Sequence, residues 1–401
     1  MYTYDFDEII DRKNTDSESR DNFMQYLAHA GAKALTRPEE DYVRMWVADM
    51  EFAPPEEVLD AIRARLDRRI LGYTGVIDHS FYDAFLGWCE SRYGWTFDEE
   101  ELVFASGVVP AIYRLAEITT KPEEAVVILT PSYGPFARAA ERIGRKLVCS
   151  PLRREAGRFV IDFEDLERRL AAPDTGLLIF CNPHNPTGRV WSEEELRQVA
   201  ALVERYDLWV ISDEIHCDLT RTGVQHIPLG RVMPDYPKLV TCMSASKTFN
   251  LAGLLLSEIM IRDRGLRAAY RRIDATGGGV NPLSVEAHKA AFGLGGPWLK
   301  ALHTYLDGNF GYMQELFDRS LPASGFTVPE ATYLAWADLR PYLPAGTNAT
   351  AFFAEKAGVV LEDGDRSFVG NAEGFVRLNL AMPRDLAAEG LNRIVRAVSA
   401  R

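Results

Sequence analysis

The sequence predicts an α/β fold built on a mostly parallel sheet. Three apolar runs, each long enough for one buried strand, occupy Leu177–Cys181, Leu208–Ile211 and Leu239–Met243. The segments between them carry helical patterns, so the chain reads β-α-β-α-β. That order builds neighbouring parallel strands joined by helical crossovers. We therefore expect the three strands to lie in one sheet, with their carboxyl ends at the same edge, where ligands bind.

Four further apolar runs bring the number of predicted sheet strands to seven. These runs are Leu102–Phe104, Val126–Leu129, Leu147–Cys149 and Ile259–Ile261. Apolar residues at helical spacing predict helices between the strands. The predicted helices are Pro110–Thr119, Pro135–Ile143, Phe163–Leu170, Glu193–Tyr206 and Gly265–Thr276. Ser192 and Glu195 form the capping box expected at the start of the fourth of these helices.

The two ends of the chain have a different pattern and predict a second, smaller domain. The first fifty residues are polar and irregular, and helices follow from Pro54 and over Ser80–Tyr93. Beyond residue 292 the pattern predicts a long helix, two strands and a last helix with one apolar face. These are Trp298–Phe317, Tyr333–Ala337, Phe375–Asn379 and the helix with Leu391, Ile394, Val395 and Val398. We predict a large domain over residues 53–292. A smaller α+β domain is expected from residues 293–401 with an N-terminal arm, residues 1–52, and a cleft between the two domains.

Composition and charge argue against several classes of function. Hydrophobic residues make up 47% of the chain and charged residues 26%, as in ordinary globular proteins. The net charge of −13 disfavours nucleic acid and anionic membranes as partners. No apolar run reaches the roughly 18 residues of a membrane span, and the N-terminus has no signal-peptide pattern. The five cysteines are scattered without a Cys-x-x-Cys motif, so we expect a cytoplasmic protein without a metal site.

Each of the three central strands is followed by a short polar motif. The motifs are Asn182–Gly188, Ser212–His216 and Ser244–Asn250. They contain Asn185, Asp213 and Lys247, respectively. Lysine forms an imine with a carbonyl compound, a carboxylate pairs with a protonated pyridine nitrogen, and an amide donates to a ring oxygen. Together at one sheet edge, these residues predict a site for pyridoxal 5′-phosphate (PLP), with Ser244 and Ser246 placed to hold its phosphate.

Further residues are candidates for the rest of this site. His216 is placed to reach the ring oxygen, and Tyr133 to stack on the ring. Gly107 and Val108 precede a helix expected to begin near Pro110, and the backbone N–H groups at such a terminus attract a phosphate. Arg377, in an otherwise apolar strand, can hold a substrate carboxylate with two hydrogen bonds.

Each of these residues also has a structural interpretation when it is taken alone. Lys247 would then be a solvated loop lysine, and Asp213 a helix cap or a metal ligand. His216 and Tyr133 would be parts of the core. The cofactor interpretation is favoured because an asparagine, an aspartate and a lysine follow three consecutive strands in the order that the site requires.

The chain resembles the fold-type I PLP enzymes, the aspartate aminotransferase superfamily. Within it, the chain is most similar to the cystathionine β-lyase group of cysteine-conjugate C–S lyases, over nearly its whole length. The most specific segments are Met45–Phe52, Asn182–Gly188, Ser212–Leu219, Ser244–Leu254 and Phe375–Asn379 with Met382–Arg384. The resemblance implies a large domain with a mixed, mostly parallel seven-stranded sheet flanked by helices, and PLP as the cofactor.

The resemblance also implies a role for each candidate residue. Lys247 would be the Schiff-base lysine and the catalytic residue. The residues implied for the cofactor are Lys247, Asp213, Asn185, His216, Tyr133, Gly107, Val108, Ser244, Ser246 and Tyr73. Those implied for the substrate are Arg377, Asn185, Tyr73 and Ala48. Tyr73 would reach the cofactor phosphate of the neighbouring subunit, which implies a homodimer with shared active sites.

The sequence departs from the family pattern at two places. The superfamily usually has a phosphate-pairing arginine eight residues after its lysine, and this chain has Leu255 there. The phosphate is then balanced by fewer charges. The segment Ser19–Phe23 also differs from the Lys-Trp/Tyr-Asp pattern of the lyase group. Because arm residues tend to line the side-chain pocket, this second departure bears on substrate preference.

The function implied by the resemblance is that of a PLP-dependent C–S β-lyase. Such an enzyme converts an S-substituted L-cysteine, such as cystathionine, to a thiol, pyruvate and ammonia. An aminotransferase shares every step up to the carbanion, so the sequence barely separates the two. A decarboxylating and deaminating enzyme acting on an S-cysteinyl conjugate is a further alternative. A protein that only binds a ligand is a minor one, because a complete cofactor set would be unusual there.

Overall fold

A computed structural model describes residues 3–274 and 279–399 of the chain. Its strands are β1 (Val43–Arg44), β2 (Leu102–Ala105), β3 (Ala125–Thr130), β4 (Ser132–Tyr133), β5 (Lys146–Pro151), β6 (Arg153–Glu155), β7 (Arg158–Val160), β8 (Thr175–Cys181), β9 (Trp209–Asp213), β10 (Leu239–Met243), β11 (Ser257–Ile261), β12 (Leu334–Asp338), β13 (Val359–Val360), β14 (Glu362–Asp363), β15 (Phe368–Val369) and β16 (Phe375–Asn379). All seven predicted sheet strands are present, with ends that differ from the prediction by two residues at most.

The helices alternate with these strands, as predicted. They are α1 (Glu18–Asp21), α2 (Phe23–His29), α3 (Glu56–Asp67), α4 (His79–Tyr93), α5 (Val108–Thr119), α6 (Gly134–Arg142), α7 (Phe163–Leu170), α8 (Glu193–Arg205), α9 (Leu229–Val232), α10 (Ala245–Thr248), α11 (Arg264–Asp274), α12 (Pro282–Leu294), α13 (Gly296–Ser320), α14 (Ala349–Ala357), α15 (Gly364–Ser367) and α16 (Arg384–Ser399). The capping box predicted for Ser192 and Glu195 is formed at the start of α8. Helix α11 was expected to reach Thr276, which lies outside the described residues.

The seven predicted strands form one mixed sheet in the order β2-β11-β10-β9-β8-β3-β5. Strand β11 is antiparallel to both of its neighbours, and the remaining pairs are parallel. Helices cover both faces, so the residues of a central strand are buried alternately on either side. In β3, Val126 packs with α5 and α6 on one face, and Val127 packs with α7 and α8 on the other. Burial on both faces explains why these strands read as continuous apolar runs.

The register of the sheet brings the three polar motifs together. Asp213, the last residue of β9, pairs with Cys181 of β8 on one side and with Cys242 of β10 on the other. The three strands therefore end at nearly the same level. Their carboxyl ends form the edge at which the motifs lie, as the β-α-β-α-β order predicts.

The C-terminal part forms a second core together with the N-terminal arm. A small antiparallel sheet has the order β12-β16-β14, and β1 of the arm pairs with β13. Val43 and Met45 of the arm share a hydrophobic cluster with the buried face of α16. That face contains Leu391, Ile394 and Val398, as predicted. The arm and the C-terminal part therefore share one hydrophobic cluster and one strand pair, while the division of the chain into domains stays a prediction.

Two long helical segments were not predicted. Helix α12 follows the glycine-rich segment, and the predicted domain boundary at residue 292 falls inside it. Its buried face consists largely of alanines with the polar residues Ser284 and His288, so the apolar periodicity that would predict it is weak. Helix α14 is buried in the same manner. No helix of the described part of the chain is long and apolar enough to cross a membrane.

Candidate active site

A cavity of about 270 Å³ lies at the carboxyl edge of β8, β9 and β10. Ten of the residues singled out from the sequence line it. They are Ala48, Gly107, Val108, Tyr133, Asn185, Asp213, His216, Ser246, Lys247 and Arg377. These residues come from the arm, from the carboxyl ends of five strands of the large sheet and from the C-terminal part. Only the tertiary fold brings them into one cavity.

Lys247 lies in α10, the single helical turn that follows β10. Ser244 caps this turn by accepting a hydrogen bond from the backbone N–H of Ser246 at 3.1 Å. The Lys247 Nζ donates to the backbone oxygen of Ala48 at 2.6 Å. Burial lowers the pKa of the Lys247 amine, although the nearby carboxylate of Asp49 opposes this shift. Burial therefore favours a neutral amine, the form that acts as nucleophile and base.

Asp213 is a buried carboxylate that forms no salt bridge among the described residues. Its Oδ1 accepts one hydrogen bond, from the backbone N–H of Ile215 at 3.1 Å. Burial raises its pKa to about 7. The thiols of Cys181 and Cys242, on either side in the sheet, have pKa values raised well above normal by burial and stay neutral. Such a carboxylate is stabilised by a cation that enters the cavity.

His216 is a second buried group with unused hydrogen-bonding capacity. It is 3% exposed, and its Nδ1 has no hydrogen-bond partner within the described residues. Burial, helped by the charges of Lys247 and Arg377, lowers its pKa to about 3. The ring is therefore neutral at physiological pH and has one donor nitrogen and one acceptor nitrogen.

Arg377 faces the cavity from β16 and is held on three sides. Its Nη1 donates to Oδ1 of Asn185 at 3.2 Å, and its Nη2 donates to the carboxylate of Glu362. The guanidinium lies over the ring of Phe368, 5.1 Å from its centroid. The arginine is thus fixed beside the asparagine predicted to contact the cofactor. This is the geometry needed to hold a carboxylate close to that group.

Tyr133 lines the cavity from a position slightly different from the one expected. The sheet strand β3 ends at Thr130, and Tyr133 belongs to the two-residue strand β4. That strand pairs with β15, which places Tyr133 opposite Phe368. The tyrosine is therefore set by the C-terminal part of the chain as well as by the large sheet.

Two predicted site residues lie outside the lining of this cavity. The hydroxyl of Ser244 donates to the backbone oxygen of Leu256 at 2.8 Å and caps α10, so it is used within the chain. Tyr73 is fully exposed. It lines a neighbouring cavity of about 720 Å³, which shares Ser106, Pro110 and Leu255 with the first. The roles assigned to Ser244 and Tyr73 stay predictions.

Sequence reasoning missed three residues that support the site. Tyr333 donates to the backbone oxygen of Ala48 at 2.8 Å, Asn379 donates to the oxygens of Val47 and Asp49, and Glu362 pairs with Arg377. Tyr333 and Asn379 lie at the ends of predicted strands. Successive side chains of a strand point to opposite faces, so the positions of Asn379 and Arg377, two residues apart in β16, could have shown that they share a face.

A further buried network lies behind Lys247, around the carboxylate of Asp218. This carboxylate accepts hydrogen bonds from Trp88, Arg92, Tyr93 and Thr248. Thr248 is the neighbour of Lys247, and Asp218 follows the motif that contains Asp213. The network therefore ties the two cofactor motifs to helix α4.

The donor set fits PLP. Asp213 supplies a buried carboxylate for a protonated pyridine nitrogen, and Lys247 supplies an amine, with its pKa lowered by burial, for the aldehyde. His216 and Asn185 supply polar groups for a ring oxygen. At the position where the superfamily has an arginine, Leu255 has a left-handed backbone and is 63% exposed.

The family to which these features belong is evident from comparison with known proteins. The family model "Aminotransferase class I and II" matches residues 40–394. The chain belongs to this family. The crystal structure of the PLP-bound C-S lyase from Staphylococcus hominis superposes with a TM-score of 0.92 at 43% sequence identity, over 99% of this chain and 98% of that one. The predicted fold-type I architecture is therefore confirmed.

Two curated proteins are similar over most of their length. Cystathionine beta-lyase PatB from Bacillus subtilis (strain 168) is 40% identical over 90% of this chain and 93% of its own. Protein MalY from Escherichia coli (strain K12) is 31% identical over 99% of both chains. The group to which the sequence was assigned, that of the C–S lyases, is thereby confirmed.

Proposed function

We propose that this protein is a PLP-dependent C–S β-lyase that acts on S-substituted L-cysteines. The observation that carries the proposal is the convergence of Lys247, Asp213 and Arg377 on one cavity of a chain similar to C–S lyases throughout its length. The three residues supply an amine, a negative counter-charge and a carboxylate-binding group. An α-amino acid substrate needs all three in a PLP enzyme.

The substrate is oriented by its α-carboxylate. Arg377 presents a fixed guanidinium, held by Asn185 and Glu362, to one side of the cavity. A bidentate pair with a carboxylate is both strong and directional. Held there, the substrate shares one cavity with Lys247.

Lys247 acts as the general base. Burial favours its neutral form, so the amine can accept the proton from Cα. Bound PLP supplies an electron sink for the negative charge that develops at that carbon. Asp213 holds the counter-charge that keeps the sink effective. Loss of the Cα proton would then be followed by departure of the sulfur substituent from Cβ as a thiolate, and water would hydrolyse the released aminoacrylate to pyruvate and ammonia. A thiol of pKa roughly 8.5 leaves far more readily than an alkoxide.

Elimination and transamination are separated by one assay. The enzyme is mixed with S-alkyl cysteines and with cystathionine in the absence of any keto acid, and thiol, pyruvate and ammonia are measured. A C–S lyase releases all three in equal amounts over many turnovers. An aminotransferase releases no thiol and turns over only after a keto acid is added, and that result would overturn the proposal. The Lys247→Ala variant is the matched control and should release none of the three products.

We also propose that the protein is a homodimer with shared active sites. Several large apolar side chains are exposed within residues 70–77 and at position 255, and Tyr73 is fully exposed among them. The others are Ile70, Leu71, Ile77 and Leu255. An exposed apolar cluster of this kind is typical of a surface that a second chain covers. The resemblance assigns Tyr73 to the cofactor phosphate of that second chain.

Mixing two inactive variants tests whether the sites are shared. In a shared site, one subunit supplies Lys247 and the other supplies Tyr73, so Lys247→Ala and Tyr73→Ala each remove the contribution of one subunit. Unfolding and refolding the variants together produces heterodimers in which one site has both residues intact. Activity should therefore return toward about a quarter of the wild-type value, because half of the dimers are mixed and each mixed dimer has one intact site out of two. No recovery, with dimers present by sedimentation, would contradict the sharing of sites.

A cytoplasmic location completes the proposal. All five cysteines are free thiols, and four of them are buried. Proteins of reducing compartments keep their thiols in this form. Fractionation of the source cells, followed by detection with an antibody, tests the location, and recovery in a secreted or periplasmic fraction would contradict it.

A further inference from the structure

The backbone oxygen of Ala48 accepts two hydrogen bonds from side chains of different parts of the protein. The Nζ of Lys247 donates to it at 2.6 Å, and the hydroxyl of Tyr333 donates to it at 2.8 Å. Tyr333 is completely buried. The same carbonyl is therefore shared by the catalytic amine and by a tyrosine hydroxyl that has no other hydrogen bond in the described structure.

The position of this carbonyl is fixed by two asparagines. Asn379 donates to the carbonyls on either side of Ala48, those of Val47 and Asp49. Asn250, three residues after Lys247, accepts from the backbone N–H of Met50 at 3.0 Å. It also donates to the Met50 oxygen at 3.0 Å. The segment is thus held from both sides of the cleft, and the carbonyl stays directed at the amine.

A carbonyl oxygen in this place influences the protonation of the amine. It attracts an ammonium group more strongly than a neutral amine, because the hydrogen bond to a charged donor is about twice as strong. A second donor on the same oxygen withdraws part of its negative charge and weakens that attraction. The hydroxyl of Tyr333 therefore opposes protonation of Lys247 without touching it.

We propose that Tyr333 is a positioning residue that keeps the released Lys247 amine in its basic form by occupying the Ala48 carbonyl together with it. The inference rests on the proposed function, in which the amine removes the Cα proton. It adds a residue that neither the sequence motifs nor the cofactor chemistry assigns. Tyr333 acts through Ala48 and needs no contact with substrate or cofactor.

Other charged groups also face the amine, and the test must leave them unchanged. Asp49, Asp213 and Glu362 favour the protonated form of Lys247, and Arg377 opposes it. His216 is neutral, as shown above. Tyr333→Phe alters none of these side chains, so a change in the titration of Lys247 is assigned to the shared carbonyl.

The experiment measures the titration of Lys247 in the cofactor-free protein. The native protein is pulsed with acetic anhydride over a range of pH, and acetylation of Lys247 is quantified by mass spectrometry. In Tyr333→Phe the midpoint should move up by about half to one pH unit, as expected for the loss of one hydrogen bond on the shared oxygen. Tyr236→Phe is the matched control, because Tyr236 also donates to a backbone oxygen, that of Leu208, far from the cavity. Its midpoint should equal that of the wild type.

Two further measurements separate positioning from general damage. Replacing Tyr333 by 4-aminophenylalanine, which retains an N–H donor, should return the midpoint toward the wild-type value. In the loaded enzyme, the acid limb of the kcat profile should move up with the midpoint. An unchanged or lowered midpoint in Tyr333→Phe overturns the inference and leaves the lyase function intact. Failure to release thiol and pyruvate overturns the function, whatever the titration shows.

Discussion

Replacing Asp213 by asparagine should stabilise the cofactor-free protein while it disables the enzyme. Burial raises the pKa of Asp213 from 3.8 to about 7. Between these values the folded chain holds a proton that the unfolded chain has released, so stability falls as the pH rises from about 4 to about 7. Three pKa units correspond to about 4 kcal/mol. Asp213→Asn should therefore raise the free energy of unfolding by at most about 4 kcal/mol at about pH 8. At about pH 4 it should leave the free energy of unfolding almost unchanged.

The same substitution has the opposite effect on PLP. The amide cannot balance a protonated pyridine nitrogen, and breaking a buried ion pair costs roughly 3–5 kcal/mol. We therefore expect the affinity for PLP to fall by about 10²- to 10³-fold, with loss of lyase activity. Stability and function thus conflict at this residue, which indicates that the carboxylate is retained for the cofactor.

Urea unfolding of the cofactor-free protein at the two pH values measures the first effect. Titration with PLP, followed by its visible absorbance, measures the second. The control is Asp235→Asn at an exposed carboxylate, which should change neither quantity. If Asp213→Asn is no more stable than the wild type at about pH 8, the carboxylate is not desolvated. If PLP binds the variant equally well, the pairing with its nitrogen is refuted.

Three further substitutions test other parts of the site. Arg377→Lys keeps the charge but loses the forked geometry, so KM should rise by about 10- to 100-fold; an unchanged KM contradicts its role with the carboxylate. Asp218→Asn leaves Arg92 without its buried counter-ion and should lower the urea-unfolding free energy by about 3–5 kcal/mol; full stability would contradict this. Leu255→Arg restores the family's cation beside the cavity and should slow the loss of PLP on dialysis by about tenfold; no slowing would place the phosphate elsewhere.

Much of the fold could be predicted because its central strands are buried on both faces. Such strands read as short continuous apolar runs, and the helices between them are amphipathic. The polar residues that end these runs stand out for the same reason. Asn185, Asp213 and Lys247 were found in this way, and all three line one cavity. The domain boundaries at residues 52 and 292 stay predictions.

The remaining features depend on contacts that leave no local pattern. Tyr333 was read as the first residue of a strand, and its hydroxyl meets a carbonyl 285 positions away. Glu362 belongs to a two-residue strand, too short for any periodicity to reveal. Helix α12 buries Ser284 and His288 among alanines, which weakens the amphipathic signal. Each of these features is set by long-range packing.

By itself, the sequence determined the alternation of strands and helices, the family, and the residue types predicted to hold the cofactor. The spacing of apolar residues and the residue types within a motif involve residues that are close together in the chain, so both can be seen in the sequence. Only the tertiary structure decided how Arg377 is held, which carbonyl the Lys247 amine meets, and that Tyr133 is placed by the C-terminal part. These depend on distances between segments far apart in the chain, and such distances are fixed only when the two hydrophobic cores pack.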